Sequence, residues 1–347
     1  MAKKIGILTG GGDCPGLNPA IRGCVFMAHR LGYDCVGLRD GWKGLIEGTT
    51  MALPPAQVED LISRGGTVLG TSRTNPYKKD GGVPRCLETF KKLNLEALVA
   101  MGGEDTLGVA HKLFKEHQVP VVGVPKTMDN DLSATDYTFG FDTSATIAVD
   151  AAERLKDTGR SHGRIMLLEV MGRHAGWVAL FTGIASGADY LCIPERRVNV
   201  PQMVEKLKAA HQRKGYALVV ASEAIDLPES GGIGEGGKKV DPFGHTILKE
   251  RGVAEKLSEL IEKQTGIETR SAVIGHIQRG GPPTLFDRML STRVGVKAAE
   301  LVSQKKYGVM VALRGQEVLP VSLEEATAKL KTVSSEWLQL ADVLCQC

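Results

Sequence analysis

The sequence predicts an α/β protein built on doubly wound parallel sheet. Short apolar runs of strand length end abruptly in loops rich in glycine or charge, and helical periodicity follows the loops. Three such units stand in the first half, and the second half repeats the style with different loop contents. At 347 residues the chain is long enough for two domains of ordinary size.

Lys4–Leu8 reads as a buried strand and runs at once into Thr9-Gly-Gly-Gly-Asp-Cys-Pro-Gly16. From Asn18 onward, Ala20, Ile21, Cys24, Val25 and Ala28 fall at helical spacing. Strand, glycine turn and helix make a phosphate cradle, because backbone N–H groups approach an anion where no Cβ intervenes. A mere tight turn uses the same glycines, and no G-K-[ST] closes this loop, so it is not a Walker A. Gly65–Pro76 is turn-rich, with Arg73 in its middle. A guanidinium there suits a phosphate fork, although a single such Arg is more often a surface residue.

Leu95–Met101 reads as the second strand and ends in Gly102-Gly103-Glu104-Asp105-Thr106, with a helix from Leu107 to about His117. The glycines admit phosphate and a carboxylate there can hold Mg²⁺, although helix starts also favour acids for their own sake. The third unit organises the chain. The apolar run Val121–Pro125 delivers Lys126, Asp129 and Asp131 to a C-terminal strand edge, where open α/β sheets place ligands. One cation beside two anions suits phosphate chemistry: the Lys meets the phosphate, one carboxylate takes a proton, and the other serves metal or structure. An isolated K-T-M-D-N-D is more often a solvated ion pair. The two phosphate-type loops upstream favour the chemical reading.

In the second half, Arg164–Val170, Tyr216–Ala221 and Ser271–Ile274 read as strands. They lead into Met171-Gly172-Arg173-His174, Glu223 and Gly275-His276-Ile277-Gln278-Arg279, and a helix starts at Trp177. Such loops suit a sugar phosphate, with Arg and His for the phosphate and Glu for ring hydroxyls. Residues 227–245 hold five glycines in Gly231–Gly237 without periodicity and read as a long flexible loop near the site. Ser322-Leu-Glu-Glu325 is a capping box opening a C-terminal helix.

Composition excludes several classes. Apolar content of 42% and charged content of 24% are those of a globular protein. A net charge of +3 with Lys and Arg spread throughout argues against a nucleic-acid face and for scattered cations meeting small anions. No run of about 18 apolar residues and no signal peptide is present, so no membrane partner is expected. The seven Cys, an odd number without C-x-x-C, indicate neither a disulfide framework nor a zinc site. A cytoplasmic protein with reduced thiols is expected.

T-G-G-G-D-C-P-G-L-N, G-G-E-D-T, P-K-T-M-D-N-D, M-G-R-H-A-G and G-H-I-Q-R-G-G together resemble the phosphofructokinase family, in its order and at its spacing over nearly the whole chain. The resemblance implies two Rossmann-like three-layer α/β/α domains with the active site in the cleft between them. It implies a donor domain of residues 1–139 plus about 279–320, and a sugar domain of 140–278 plus a C-terminal helix from about 321. It also implies phosphoryl transfer to the 1-hydroxyl of fructose 6-phosphate with Mg²⁺, in a homodimer or homotetramer with shared sites. Gly11, Gly103 and Arg73 match donor contacts, Glu104 the Mg²⁺ position and Asp129 the proton acceptor. Thr127, Met128, Met171, Gly172, Arg173, Glu223, His276, Ile277, Gln278 and Arg279 match the sugar-phosphate site. Arg164 and Arg270 match positions that reach in from a neighbouring subunit.

Two positions bear on the donor. ATP-using members carry Gly where this chain has Asp105 and Lys126, whereas pyrophosphate-using members carry Asp and Lys. An Asp105 side chain takes the volume of a nucleotide α-phosphate and repels it. Two unit charges about 4 Å apart interact by roughly 4 kcal/mol at an effective dielectric near 20. Pyrophosphate ends before that point, and Lys126 supplies charge to it and to the leaving phosphate. The sequence is therefore expected to encode a pyrophosphate-dependent phosphotransferase. An ATP-dependent kinase of the same fold is the first alternative. A silent sugar-phosphate sensor is a distant one, against which the intact Asp129, Glu104 and Arg173 argue. Glu104 departs from the Asp of many relatives, as does one branch of the family, and the glycine-rich 227–245 stretch is absent from the short allosteric enzymes.

Overall fold

The computed structural model describes residues 3–226 and 252–345, so the glycine-rich stretch 227–245 lies outside the described residues. The strands are β1 (Lys3–Thr9), β2 (Tyr33–Leu38), β3 (Thr50–Ala52), β4 (Leu95–Gly102), β5 (Val121–Pro125), β6 (Ile165–Val170), β7 (Tyr190–Cys192), β8 (Ala217–Ser222), β9 (Thr269–Val273), β10 (Val309–Arg314) and β11 (Glu317–Ser322). The helices are α1 (Leu17–Arg30), α2 (Trp42–Glu47), α3 (Pro55–Val58), α4 (Gly82–Lys92), α5 (Glu104–His117), α6 (Phe141–His162), α7 (Trp177–Ser186), α8 (Val200–Lys214), α9 (Val253–Thr265), α10 (Leu285–Ser303), α11 (Leu323–Thr327) and α12 (Ser335–Leu344).

Two sheets result. One runs β11-β10-β5-β4-β1-β2-β3, parallel except for β3 and β11 at its edges, and the other runs β7-β8-β6-β9, parallel throughout. Central strands such as β4 are buried on both faces, which is why they read as unbroken apolar runs. Alternation divides each strand between two cores. Val99 and Met101 pack with α1 and α10, while Leu98 and Ala100 pack with α5 on the other face. In the second sheet Met166 and Leu168 meet α6 and α7, and Ile165 and Leu167 meet α8 and α9. Each sheet is thus the middle layer of an α/β/α sandwich.

The Ser322 half of the capping box forms, its hydroxyl accepting from the Glu325 amide at 3.0 Å, while Glu325 Oε1 accepts from Arg314 Nη2 at 2.8 Å. The short helix that it opens differs from expectation. Leu323 and Ala326 are buried in the core of the seven-stranded sheet, so α11 stays there and the chain leaves only after Thr327. The later helix α12 is the one that packs on α7.

Two contacts fix the site's supports. Helices α1 and α10 cross backbone to backbone: a Cβ at Gly295 would lie 2.1 Å from the Ala20 carbonyl oxygen, and one at Gly23 would lie 2.6 Å from that of Thr292. Asp287, near the start of α10, accepts from the Thr143 amide at 2.8 Å and from its hydroxyl at 2.6 Å, pinning α6 to α10. Since α6 covers the second sheet and α10 the first, this pin joins the two halves. Overpacking at such a crossing typically costs about 1–3 kcal/mol. Gly295→Ala is expected to lower the melting temperature by a few degrees in thermal denaturation, and an unchanged melting curve would show that the helices separate freely.

Candidate active site

The C-terminal ends of β1, β4 and β5 converge on one cavity of about 490 Å³, whose opposite wall comes from β6, β8 and the turn after β9. After β1 the Gly10 amide donates to the Met101 carbonyl at 2.9 Å, which turns the chain across β4. Gly11 has a φ of 78°, left-handed backbone that favours glycine. The Thr71 hydroxyl donates to its carbonyl at 2.5 Å, which draws the Arg73 stretch to the same wall. A Cβ at Gly12 would meet Arg279 Nη1 at 2.6 Å, so a side chain there would push that guanidinium aside.

After β4, Gly103 caps α5 in an extended conformation and places Glu104 and Asp105 in the first turn. The helix thus begins three residues earlier than the apolar periodicity predicts, because acids at a helix start are compensated by the exposed amides. After β5, Lys126 turns under the glycine loop. Its ammonium donates to the Gly12 carbonyl, only 4% of the residue is exposed, and burial pulls its pKa down.

The turn beyond Lys126 aims two carboxylates. The Thr127 hydroxyl accepts from the Asp129 amide at 3.1 Å and donates to Asp131 Oδ1 at 3.0 Å. Asn130 between them is left-handed, with φ 52°. Among the described residues, Asp129 Oδ1 is buried without a hydrogen-bond partner. Burial, then the neighbouring Asp131 charge, pushes the Asp129 carboxyl up to about 6, against the pull of Arg279, Arg173 and His174. An acceptor so placed and so tuned is suited to take a proton near neutrality.

On the opposite wall Met171, Arg173, Glu223, His276 and Arg279 line the cavity, and Met128, buried in the core of the seven-stranded sheet, also borders it. Arg279 Nη1 donates to the Asp13 carbonyl at 3.0 Å, bridging to the glycine loop. Burial, then the Asp129 charge, raises the Glu223 carboxyl.

Five expected site residues do not line this cavity. Gly172 sits behind the wall, its carbonyl accepting from the Ser222 hydroxyl at 2.8 Å. Ile277 is 66% exposed. Gln278, expected as a sugar-phosphate contact, is fully buried: its Oε1 accepts from the Met171 amide at 2.8 Å and its Nε2 donates to Ser144 Oγ at 3.1 Å. It braces the wall from behind. Arg164 and Arg270 both pair with Glu268, at 2.9 and 2.6 Å, near the N-terminal ends of β6 and β9. Conversely, Glu169 and Glu255 line the cavity although the sequence reading gave them no role, and Asp131 and His174 line it with only the general roles that their motifs suggested. The D-x-D spacing signals Asp131, and its neighbour Arg173 signals His174. Glu169 sits mid-strand in an apolar run and carries no such signal; its Oε2 accepts from the Ala254 amide at 2.7 Å at the start of α9.

The fit to Mg²⁺ follows from the donor set. Among the described residues no group of three or more His, Cys, Asp or Glu forms a ready cage. Mg²⁺ commonly takes one or two carboxylates and completes its shell with phosphate and water. Burial first, and the nearby Glu104 charge to a lesser extent, raise the Asp131 carboxyl, and both carboxylates line the cavity, so hard oxygen donors stand where a phosphate would enter. The residues present fit that ion. Among the described residues no helix is long and apolar enough to cross a membrane.

The chain is 50% identical over 333 residues to the pyrophosphate--fructose 6-phosphate 1-phosphotransferase of Dictyoglomus thermophilum, covering 95% of each chain. It is 45% identical over 337 residues to ATP-dependent 6-phosphofructokinase 3 of Streptomyces coelicolor, covering 95% of this chain and 96% of that one. The fold superposes on a pyrophosphate-dependent phosphofructokinase of Nitrosospira multiformis with a TM-score of 0.85 at 22% identity, covering 96% of this chain and 87% of that one. The Phosphofructokinase family profile matches residues 4–302, and with the glycine loop, the Asp129 turn and the Arg-bearing wall meeting in one cleft, the chain belongs to the phosphofructokinase family.

Proposed function

We propose that this protein reversibly transfers a phosphoryl group from inorganic pyrophosphate to the 1-hydroxyl of fructose 6-phosphate. The observation that carries the reading is Asp129, whose buried, unpartnered Oδ1 faces a cleft with donor-type glycines on one wall and Arg173 and Arg279 on the other. Asp129 takes the 1-hydroxyl proton as that oxygen attacks the terminal phosphorus in line. The new O–P bond forms as the bridging P–O bond breaks, and Lys126 offsets charge on the departing phosphate. Mg²⁺, when held by Glu104, supplies further neutralisation of the pyrophosphate oxygens. Pyrophosphate and fructose 1,6-bisphosphate have comparable transfer potential, which favours turnover in both directions.

Asp105 and Lys126 on the donor wall favour pyrophosphate, as does the higher identity to the relative named for that donor. An ATP-dependent kinase is the second reading, favoured by the 45% identity to an ATP-named relative. We assign donor binding to the seven-stranded half and sugar binding to the four-stranded half. Arg164 and Arg270 we assign to a neighbouring subunit's site in a homo-oligomer, because both lie away from their own chain's cavity.

Asp129→Asn keeps size but removes the base, so kcat is expected to fall about 10²–10⁴-fold with the fructose 6-phosphate KM little changed. In the parent enzyme the base must be ionised, so kcat/KM is expected to be full above the Asp129 pKa and to drop as pH falls through about 6. A large KM change at constant kcat would make Asp129 a binding residue instead.

Asp105→Gly removes volume and charge facing a nucleotide α-phosphate, so ATP turnover should become measurable. Adding Lys126→Gly should severely weaken pyrophosphate turnover, and the two effects on donor preference should be non-additive because both residues face one ligand. The measurement is kcat/KM for each donor in the parent, both single variants and the double. A parent enzyme that prefers ATP would replace this reading with the kinase.

Mixing Arg270→Ala with Asp129→Asn subunits should regenerate active sites if the arginines serve a neighbour. Activity no greater than that of the separate variants, once mixed oligomers have formed, would return the arginines to their own chain's function.

A further inference from the structure

Behind the Asp129 turn stands a second, half-buried cation that phosphoryl transfer does not use. Lys331 lies between α11 and α12, beyond the 4–302 span of the family match. Its ammonium donates to Asn130 Oδ1 at 3.0 Å, to the Thr135 carbonyl at 3.0 Å and to the Asp136 carbonyl at 2.8 Å, so all three N–H groups are used. Its backbone amide donates to the Asp131 carbonyl at 2.7 Å, and its carbonyl accepts from Trp177 Nε1 at 2.9 Å. The ammonium also lies 5.7 Å from the Trp177 ring centroid, within cation–π range. One side chain and its own peptide units therefore grip the turn at Asn130 and Asp131 and fasten it to the first residue of α7.

The gripped residue is the one that needs holding. Asn130 has a φ of 52°, and its side-chain oxygen also accepts from the Thr138 amide at 3.1 Å. Asn enters the left-handed region more readily than most side chains, but the conformation still costs energy that surrounding contacts must offset. Relaxation of Asn130 to an ordinary backbone well would rotate Asp129 and Asp131 relative to each other. Trp177 in turn follows directly on the Arg173–Gly176 turn, so the same fastening sets the base against the Arg-bearing wall.

We propose that Lys331 is a positioning residue for the phosphoryl transfer, holding the Asp129–Asp131 turn in its left-handed form and locking it to the wall that carries Arg173. This rests on Asp129 being the base. A Lys that merely anchors the C-terminal segment would support folding but would leave the rate of folded enzyme unchanged.

The test is Lys331→Met in the full-length oligomer, with rates normalised to the folded fraction. We expect kcat to fall about 10–100-fold, the range for a misplaced reacting group, while KM for fructose 6-phosphate and for pyrophosphate stays within about threefold. In an Asp129→Asn background the same substitution should have little further effect, because Lys331 acts through that carboxylate. An unchanged kcat in folded Lys331→Met overturns the proposal, as does an equal loss in both backgrounds. If Lys331→Met does not fold, Asn130→Gly, which keeps access to positive φ but removes the Oδ1 anchor, should show the same loss of kcat at constant KM, and full kcat there overturns the proposal too. A parent-like rate for Asp129→Asn alone counts against the base assignment, and Lys331 is then judged on the split between kcat and KM.

Discussion

A buried ammonium must find oxygen, and around that need the cleft is arranged. Lys126 is sealed beneath the glycine loop with the Gly12 carbonyl as its acceptor, and burial pulls its pKa down. A Cβ at Gly11 would meet its Nζ at an ordinary 3.5 Å, so it is the left-handed backbone, with φ 78°, that calls for glycine above the cation. The walls otherwise carry more acid than base: Glu104, Asp105, Asp129, Asp131, Glu169, Glu223 and Glu255 face Arg73, Lys126, Arg173 and Arg279. For a cleft that is to receive two phosphorylated substrates, such an excess of carboxylate makes a divalent cation a natural partner of the donor. Burial and then the neighbouring Asp131 charge hold the Asp129 carboxyl up at about 6, against the pull of the cations around it.

Much of this was legible in the residues themselves. Parallel strands buried on both faces must be apolar throughout, and their C-terminal ends must open into glycine or charge where ligands sit. The boundaries of β1, β4 and β5, and the loops after them, therefore announced themselves in order. What failed was the inference that a contiguous motif points one way. Gly275–Arg279 is a 3₁₀ turn, with about three residues per turn, so His276 and Arg279 share a face and line the cavity. Ile277 turns outward, and Gln278 turns inward to brace the Met171 amide. Sequence adjacency carried the first and last residues of that motif into the site and misplaced the middle two.

The remaining gaps are long-range. Lys331 meets Asn130 across 201 positions of sequence, and no local pattern around Lys331 announces that contact. Glu169 likewise looked like a polar interruption in a strand, and only the arrival of α9 over its end gives the carboxylate a partner. Such residues are legible only once topology has brought their partners to them, and for that reason supporting residues escape a motif-based reading more readily than those that meet substrate.

Sheet polarity settles what Arg164 and Arg270 can do within their own chain. Arg164 immediately precedes β6, whose far end carries the cavity residue Glu169, and Arg270 pairs in register with Met166. Five residues of extended strand at about 3.3 Å each separate Arg164 from Glu169 by roughly 16 Å. The arginines thus sit towards the edge of the sheet opposite their own cleft, where their attraction for Glu268 keeps them together near the surface. Two guanidinium groups gathered on one carboxylate form a preassembled cationic pair, and a phosphate able to replace that carboxylate would meet both at once. The fold that carries every other matched cation to the cleft carries these two away from it, which is the geometric reason for looking to a second copy of the chain to complete the site.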